Sequence, residues 1–445
     1  MKCITEVIEE LIDELATAVV AELGEQRADL LKIEDRLCEV VQVVGQGCLR
    51  QILETTEGRY PEATVTCACG EKAAYQFRRQ GTLLSHFGRV KYRRGYYLCR
   101  SCHQGQYPLD RALGIEPGQV SARLGSDLAM LGVQTAFGEA AKLLKALLLI
   151  DVSPTTIQQE TNRFGEYQIA QEEAWQSEAT DLAHLNHRQG SQEKPERLYG
   201  SLDGVIVPVE EEWRELKVGC WYQVKTEKQL HRTQNGVEQR DRLRAEQIHY
   251  HCDFANATDF GDMTWTTGWA QGADVAKEVV FVADGAAWIW RLVEEHFPNA
   301  VQIVDWYHAV AYLAPIATAA FGAKDPQGQA WLKRVRTLLW HGHVKQVLQN
   351  CMRLQRRIPA ASEPIKKALS YFTNNAHRMD YARLRSQGYF IGSGTVESAC
   401  KQIATQRLKR AGARWSQHGA LLVAKARAAW LSGQWHLLLA HRSAI

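Results

Sequence analysis

Apolar and polar positions follow different periodicities along the chain. In residues 1–60 the apolar side chains recur every three or four positions, which predicts two or three amphipathic helices. Residues 61–110 instead contain short β-like runs separated by turns, at Val65–Cys67, Ala74–Phe77 and Gly88–Tyr97. Helical spacing returns at about residue 119 and continues to residue 180. The first half of the chain is therefore predicted to be a helical region, a small β-rich module and a second helical region.

The second helical region contains a candidate helix-turn-helix. One helix is predicted to end near Ile150, and Ser153 and Pro154 are good residues for the cap and first position of the next helix. Two helices joined by such a short turn are typical of DNA-binding domains. A buried helical hairpin that binds nothing is the alternative interpretation.

The second half of the chain predicts a mixed sheet. A polar stretch, 187–197, is expected to be a linker. Three strands are predicted after it, at Leu198–Val207, Leu216–Val224 and Gln247–Cys252, with a charged loop at Thr226–Glu246. The next elements form a β-α-β pattern, comprising the apolar runs Val279–Ala283 and Val301–Val304 and a helix at Ala287–His296 between them.

This order of elements predicts the fold class. Three antiparallel-type strands followed by helix-linked strands form the sheet of a ribonuclease-H-like domain. We expect a multidomain α/β protein with a ribonuclease-H-like mixed-sheet core and a helical insertion, preceded by helical and zinc-ribbon-like DNA-binding modules. The expected divisions are 1–60, 61–110, 111–186, the linker 187–197, a first core segment 198–306, the helical insertion 307–387, and a second core segment 388–445 with the glutamate helix and basic C-terminal helices.

Composition sets few limits on function. The 445 residues are 45% hydrophobic, and the net charge of +3 means that a nucleic-acid interaction would depend on where the basic residues lie. Met1–Leu15 carries acidic residues and lacks the basic start of a signal peptide. The apolar stretches are shorter than a membrane span. We expect a soluble protein of the cytoplasm that makes no membrane contact and associates with the nucleoid when it is bound to DNA.

Four of the eleven cysteines form a pattern. Cys67 and Cys69 lie at one end of the β-rich module, and Cys99 and Cys102 lie at the other. Four thiolates arranged in two close pairs favour a structural Zn²⁺ site, although the first pair is Cys-x-Cys rather than the commoner Cys-x-x-Cys. Reduced core cysteines are the alternative. The remaining cysteines are interpreted as ordinary reduced residues.

Three acidic residues stand where a catalytic metal site could form. Asp203 and Asp284 each lie at a predicted buried strand and precede a glycine, and Glu397 lies in a helix that follows the glycine-rich turn 392–394. Carboxylate oxygens favour Mg²⁺ or Mn²⁺, and two such ions can promote phosphoryl transfer. Taken singly, each aspartate could be a turn former and the glutamate a helix cap.

The motifs around these acids resemble those of Mutator-like bacterial insertion-sequence transposases of the DDE type, and most of all the Kra type. The resemblance covers roughly residues 198–430 and depends on 202–204, 283–285, 305–308 and 394–398. It implies that Asp203, Asp284 and Glu397 are the catalytic acids, and that Asp305 and His308 form an accessory motif. The spacings of 81 and 113 residues between the successive acids also resemble the family, whose helical insertion would be 307–387.

Two assignments near the accessory motif have alternatives. Asp305 closes a strand, so spacing alone would also allow it to be the second catalytic acid. His308 could orient a phosphate, or it could hydrogen-bond Asp305 and fix the junction between strand and helix.

Basic residues are concentrated in two regions. The cysteine module carries Arg78, Arg79, Arg89, Lys91, Arg93 and Arg94. Residues 401–430 contain no acidic residue, and the basic residues assigned there to DNA binding are Lys401, Arg407, Lys409, Arg410 and Arg414. Runs of one sign beside a candidate catalytic residue favour contact with phosphates, although a solvated helix face is the alternative.

The expected function is DNA transposition. The enzyme would cut and rejoin double-stranded DNA at the terminal inverted repeats of an insertion sequence and at target DNA, and pairing two ends implies a homo-oligomer. A zinc-dependent DNA-binding regulator without catalysis and a ribonuclease-H-like nuclease are the alternatives.

Overall fold

The computed structural model describes residues 4–24, 29–57, 62–115, 120–181, 194–233, 236–358 and 362–443. The chain divides into two compact units, Met1–Glu160 with Leu439–Ile445, and Thr161–Leu438. The expectation of a multidomain α/β protein with a mixed sheet is confirmed. The seven divisions expected from the sequence are finer than these two units. Most of the predicted linker, residues 187–193, lies outside the described residues.

The first unit begins with two helices and a four-stranded antiparallel sheet. The helices are α1 (Ile4–Leu23) and α2 (Leu30–Glu57). The strands, in sheet order, are β1 (Thr64–Thr66), β2 (Lys72–Ser85), β3 (Gly88–Cys99) and β4 (Gly105–Gln106), and a short helix, α3 (Pro108–Ala112), follows them. The β-rich module predicted from the sequence is therefore present, with longer strands than the apolar runs indicated.

Strand β3 has one buried and one exposed face. Val90 and Tyr92 pack with Leu53 of α2, whereas Arg89 and Lys91 point to solvent. Successive side chains of a strand point to opposite faces, so every second residue joins the core. Apolar burial against α2 therefore fixes which of the arginines on this strand are exposed.

Three further helices complete the first unit. They are α4 (Ala122–Gln134), α5 (Phe137–Leu148) and the start of α6 (Pro154–Thr180). Leu124, Leu144 and Ile157, one from each helix, share a buried core. Ser153 accepts a hydrogen bond from the Thr156 N–H at 3.1 Å, as its predicted capping role requires. The two helices and the turn of the predicted helix-turn-helix are therefore present.

The second unit is built on a five-stranded mixed sheet. Its strands are β5 (Arg197–Val209), β6 (Glu212–Thr233), β7 (Gly236–Asp253), β8 (Glu278–Ala283) and β9 (Val301–Val304). The sheet order is β7-β6-β5-β8-β9, in which β7, β6 and β5 are antiparallel and β5, β8 and β9 are parallel. The apolar runs predicted as strands lie within these five elements.

The charged loop predicted at Thr226–Glu246 is wrong. Strands β6 and β7 continue through the described part of this stretch as a two-stranded ribbon, and residues 234–235 lie outside the described ranges. Charged side chains interact across the ribbon, for example Arg244 with Glu227 at 3.3 Å. A ribbon joined by main-chain hydrogen bonds needs no apolar face, so the alternation that signals a strand is missing from the sequence.

Helices surround the sheet and fill the region predicted as a helical insertion. Between the strands lie α7 (Ala257–Ala270) and α8 (Ala287–His296). After β9 come α9 (Trp306–Ala311), α10 (Leu313–Phe321), α11 (Pro326–Trp340), α12 (Val344–Arg357), α13 (Ser362–Asn375), a 3₁₀ turn (Ala376–Arg378) and α14 (Tyr381–Ser386). The chain ends with α15 (Gly394–Cys400), a π-helical turn (Lys401–Thr405), α16 (Gln417–Leu431) and α17 (Trp435–Ser443). No helix among the described residues is long and apolar enough to cross a membrane.

A buried ion cluster joins three elements of the second unit. The Lys425 ammonium of α16 lies 2.5 Å from Glu172 of α6 and 3.2 Å from Asp253 of β7, and its side chain is 1% exposed. A buried cation needs such partners, because desolvation would otherwise be costly. The absence of acids from residues 401–430 is thus compensated in the fold by carboxylates from distant regions of the chain.

A second buried titratable group predicts how stability depends on pH. Burial, together with the charge of Lys425, lowers the pKa of His251 to about 3, so this residue stays neutral in the folded protein. The unfolded chain takes up that proton below a pKa of about 6.5, so stability falls as the pH drops. We predict that the free energy of unfolding of the wild type falls as the pH drops from about 7 to about 5. The fall should be about 2 kcal/mol smaller in His251→Asn, as measured by urea unfolding.

The matched control is His418→Asn, which changes an exposed histidine of α16. It should keep the pH dependence of the wild type. Equal slopes for the His251 variant and the wild type would contradict the assignment.

Candidate active site and zinc site

Three aspartates lie at one level across the parallel strands. Gly200 of β5 pairs with Phe281 of β8, and continuing that register by three residues sets Asp203 beside Asp284. Ala283 of β8 pairs with Val304 of β9, which sets Asp284 beside Asp305 in the same way. Neighbouring residues of parallel strands point to the same face. The sheet therefore gathers carboxylates from three adjacent strands.

Asp203 and Asp284 are close enough to influence each other. Burial and the negative charge of Asp284 raise the pKa of Asp203, against the opposing hydrogen bond from the Gly204 N–H at 2.7 Å. Asp284 accepts a hydrogen bond from the Ala286 N–H at 2.8 Å, which fixes its side chain at the end of β8. The two half-buried carboxylates therefore repel one another.

Helix α15 carries the third acid toward this pair. Cys400 lies one helical turn beyond Glu397, and its thiol contacts the Asp203 carboxylate at 3.5 Å. Residues three apart are neighbours on a helix, so Glu397 lies one turn before this contact. Its carboxylate accepts a hydrogen bond from the Ser393 hydroxyl at 3.2 Å and stays 48% exposed.

Asp305 connects the sheet to the turn that precedes Glu397. This fully buried carboxylate accepts hydrogen bonds from the Ser393 N–H at 2.5 Å and the His308 N–H at 2.6 Å. Burial raises the pKa of Asp305, but the hydrogen bonds from His308 and Ser393 outweigh it and lower the pKa overall. With both oxygens engaged by main-chain donors, Asp305 is a positioning residue for the Glu397 turn.

His308 bridges Asp305 and Glu397. Its Nδ1 lies 3.2 Å from the Asp305 carboxylate and 3.6 Å from that of Glu397. The side-chain hydrogen bond with Asp305 raises the pKa of His308, against burial, and the charges of Asp305, Asp284 and Glu397 add to the increase. The hydrogen bond between His308 and Asp305 that the sequence analysis considered is therefore present.

The donor atoms of Asp305, His308 and Glu397 lie within 4.8 Å of one another and could hold a metal ion. Asp203 and Asp284 do not belong to that group. Of the predicted catalytic acids, Glu397 is therefore the one that lies in this group with the two accessory residues.

A tyrosine from the helical region holds the backbone at Asp284. The Tyr371 hydroxyl of α13 donates a hydrogen bond to the Asp284 carbonyl at 2.7 Å. Gly285, with φ of +100°, makes this approach possible, since a Cβ there would lie 2.7 Å from the Tyr371 ring. Glycine is required at this position both by backbone conformation and by space.

Gly285→Ala should therefore destabilise the second unit by more than the strain of a left-handed alanine alone, which is about 1 kcal/mol. Gly433→Ala is the matched control, because Gly433 has φ of +70° and nothing within 4 Å of its added Cβ. Chemical denaturation would measure both variants. Equal losses of stability would show that the Tyr371 contact imposes no additional constraint.

The four cysteines predicted to bind zinc form one cluster in the first unit. Cys67 Sγ lies 3.5 Å from Cys102 Sγ, and Cys69 Sγ lies 3.7 Å from Cys99 Sγ. A tetrahedral zinc site with Zn–S bonds of about 2.3 Å has sulfur atoms about 3.8 Å apart. The N–H groups of Cys102 and Ser101 lower the pKa of Cys99 to about 6, against burial, which favours a thiolate. This cluster could bind a metal such as zinc.

Zinc should therefore be required by the β-rich module. We predict that the purified protein carries one zinc ion, which Cys99→Ser loses together with the thermal stability of the first unit. The control is Cys48→Ser, an exposed cysteine of α2 outside the cluster. Elemental analysis and thermal unfolding would measure both effects, and full stability without zinc would contradict the prediction.

Most of the basic residues predicted to contact DNA are exposed, but two are buried. Arg94 is 5% exposed and pairs with Asp110 at 2.6 Å, and Arg407 is 2% exposed with its guanidinium over the Trp415 ring at 4.9 Å. Burial and the charges of nearby arginines lower the pKa of Arg407 to about 10. The prediction that these two arginines contact phosphates is wrong. Arg94 follows the inward face of β3, so strand alternation gave a signal against it.

The other predicted DNA contacts are accessible within their own units. On the β-rich module they are Arg78, Arg79, Arg89, Lys91 and Arg93. In the second unit Lys401, Arg410 and Arg414 are exposed, and Lys409 is half-buried.

Comparison with known proteins assigns no family. No protein-family model matches the chain, and no similar sequence is found among curated proteins. The functional conclusion therefore depends on the chemistry and placement of the residues described above.

Three residues at the site were not found from the sequence. Tyr371 and Ser393 act through a hydroxyl or an amide on an aspartate distant in the chain, and nothing in their local sequence signals this. Cys400 was interpreted as an ordinary cysteine. Its position one turn beyond Glu397 was the only available hint that it lies near the acids.

Proposed function

We propose that the chain is a DNA transposase of the DDE type, resembling the Mutator-like Kra type, in which Asp203, Asp284 and Glu397 are the catalytic acids. The observation that carries this proposal is the parallel pairing of β5 with β8, which would set Asp203 beside Asp284 when continued three residues beyond Gly200 and Phe281. Helix α15 carries Glu397, and its Cys400 thiol contacts the Asp203 carboxylate at 3.5 Å. The proposal assigns three carboxylates from distant regions of the sequence to one site.

The sheet supports a ribonuclease-H-like core. Numbered within the second unit, the strands run 3-2-1-4-5, with the first three antiparallel and the last two parallel. This is the order of strands in a ribonuclease-H-like sheet. The long helical segment between Asp284 and Glu397 agrees with the insertion that the resemblance implies.

The acids suit a hard divalent cation. Asp203, Asp284 and Glu397 offer only carboxylate oxygens, and Asp203 and Asp284 share a half-buried place where their charges repel. Two ions of Mg²⁺ or Mn²⁺ held by these residues would supply a water or 3′-hydroxyl nucleophile and stabilise the leaving oxygen of DNA. We prefer Asp284 to Asp305 as the second acid, because both oxygens of Asp305 are engaged by main-chain donors.

Other residues of the site would position these acids. Asp305 holds the Ser393 turn and thereby the start of the Glu397 helix, and Tyr371 holds the main chain at Asp284. Fixed side chains matter because phosphoryl transfer depends on placing nucleophile and leaving group in line.

Double-stranded DNA is the proposed substrate, with terminal inverted repeats and target DNA as its two forms. Lys401, Arg410 and Arg414 follow the Glu397 helix in the sequence and are solvent-exposed. They would bind the phosphate backbone of the DNA. The zinc-ribbon-like module with its exposed arginines and the helix-turn-helix would recognise the ends. Joining two ends would require a homo-oligomer.

The proposal predicts that Asp203→Asn, Asp284→Asn and Glu397→Gln each abolish DNA cleavage and strand transfer, by on the order of a thousandfold or more. The substrate is a plasmid carrying the DNA that flanks the coding sequence, incubated with Mg²⁺ or Mn²⁺, and products are mapped by sequencing. DNA binding should be retained, because an amide keeps the shape of each side chain.

The control is Glu295→Gln, which changes an exposed carboxylate of α8 and should stay active. Activity in all three variants would refute the assigned acids. Cleavage without joined products would favour a nuclease, and DNA binding without any cleavage by the wild type would favour a regulator.

A further inference from the structure

A cavity of about 700 Å³ opens in the second unit beside Asp284. It is lined by Gly285, by Trp290 of α8, by Tyr312 between α9 and α10, and by Tyr371 of α13. Its size is typical of sites that hold a small molecule or one group of a larger ligand. None of the proposed catalytic acids is among its lining residues, so it is distinct from the candidate metal site.

Aromatic rings form one wall of this cavity and connect it to the candidate active site. Tyr312 stacks on Tyr371 with ring centroids 3.8 Å apart and planes 15° apart, and the Tyr371 hydroxyl contacts the Asp284 carbonyl. Tyr312 remains 36% exposed, so some of its ring is accessible to a ligand. A planar group stacked here would lie next to the backbone of a proposed catalytic aspartate.

The rest of the lining is cationic and rich in hydrogen-bonding groups. The lining contains one acid, Glu294, and four cationic residues, which are Arg291, Lys366, Lys367 and Arg378. Glu294 pairs with Arg378 at 2.7 Å. The guanidinium of Arg378 lies over the Trp290 ring, 4.6 Å from its centroid. Four cationic residues against one acid favour a ligand that carries negative charge.

We infer that this cavity receives one unstacked nucleotide of the DNA strand that is cut at the candidate metal site, beside Asp284. The inference rests on the proposed function and names the portion of the substrate held beside the metal site. A base offers a π face to Tyr312 and an edge acceptor to the side-chain amide of Asn374, while Arg291 and Lys367 suit the flanking phosphates. The short path from Tyr312 through Tyr371 to Asp284 favours a nucleotide of the bound strand over a free one.

Photocrosslinking tests this directly in the full chain. The probe is a duplex spanning the mapped cleavage position, with 5-iododeoxyuridine placed in turn at each of several positions around the cut, bound in Ca²⁺ and irradiated. The expected result is a crosslink to Tyr312 or Trp290 from one or two adjacent positions, identified by mass spectrometry. Crosslinks only to residues outside the cavity would overturn the inference. So would efficient competition by free thymidine monophosphate at micromolar concentration, because that would indicate a site for free nucleotides.

A substitution cycle separates base stacking from an indirect effect on Tyr371. Tyr312→Ala should slow cleavage about tenfold or more, and Tyr312→Phe, which keeps the ring, should stay near the wild type. An abasic residue at the crosslinked position should slow the wild type by a similar factor. It should add little to the defect of Tyr312→Ala, because both changes remove the same contact. Additive effects would overturn the inference.

Trp213→Ala is the matched control, since it removes an exposed aromatic ring from β6, outside the cavity. Cleavage by this variant should equal that of the wild type. The two proposals fail in different ways. A wild type that cuts no DNA refutes the proposed function, whereas active cleavage with no crosslink in the cavity refutes only the nucleotide site.

Discussion

The parallel register of β5, β8 and β9 is the constraint on which the site depends. Main-chain pairing of Gly200 with Phe281 and of Ala283 with Val304 determines that three aspartates end at one level. The strands between them are buried and apolar, so the register is held by the core and not by the acids themselves. A shift of one residue in β8 would turn Asp284 to the opposite face and separate the pair.

Three identical side chains at that level have different environments. Asp305 is buried and satisfied by main-chain donors, which keep it ionised and attach the Ser393 turn to the sheet. Asp203 and Asp284 are half-buried and near enough for their charges to repel. The same chemical group is therefore a structural anchor on one strand and a candidate ligand on the other two. Environment, more than sequence motif, distinguishes these roles.

Elements with local signals could be predicted from the sequence. The strand at Val301–Val304 and the helix at Ala287–His296 are found at the predicted bounds, because short apolar runs and helical spacing are bounded by clear breaks. The β6–β7 ribbon was missed because its strands are stabilised by main-chain pairing and carry polar residues on both faces. The burial of Arg407 and the roles of Tyr371 and Ser393 depend on partners far along the chain, which periodicity cannot reveal.

The proposed function requires that Asp203, Asp284 and Glu397 together hold the catalytic cations. The most direct test is an anomalous diffraction map from crystals of the protein soaked in Mn²⁺. We predict anomalous peaks at about 2.1 Å from carboxylate oxygens of Asp203 and Asp284, with Glu397 as a further ligand. A single peak held by Asp305, His308 and Glu397, with none at Asp203 and Asp284, would contradict this assignment.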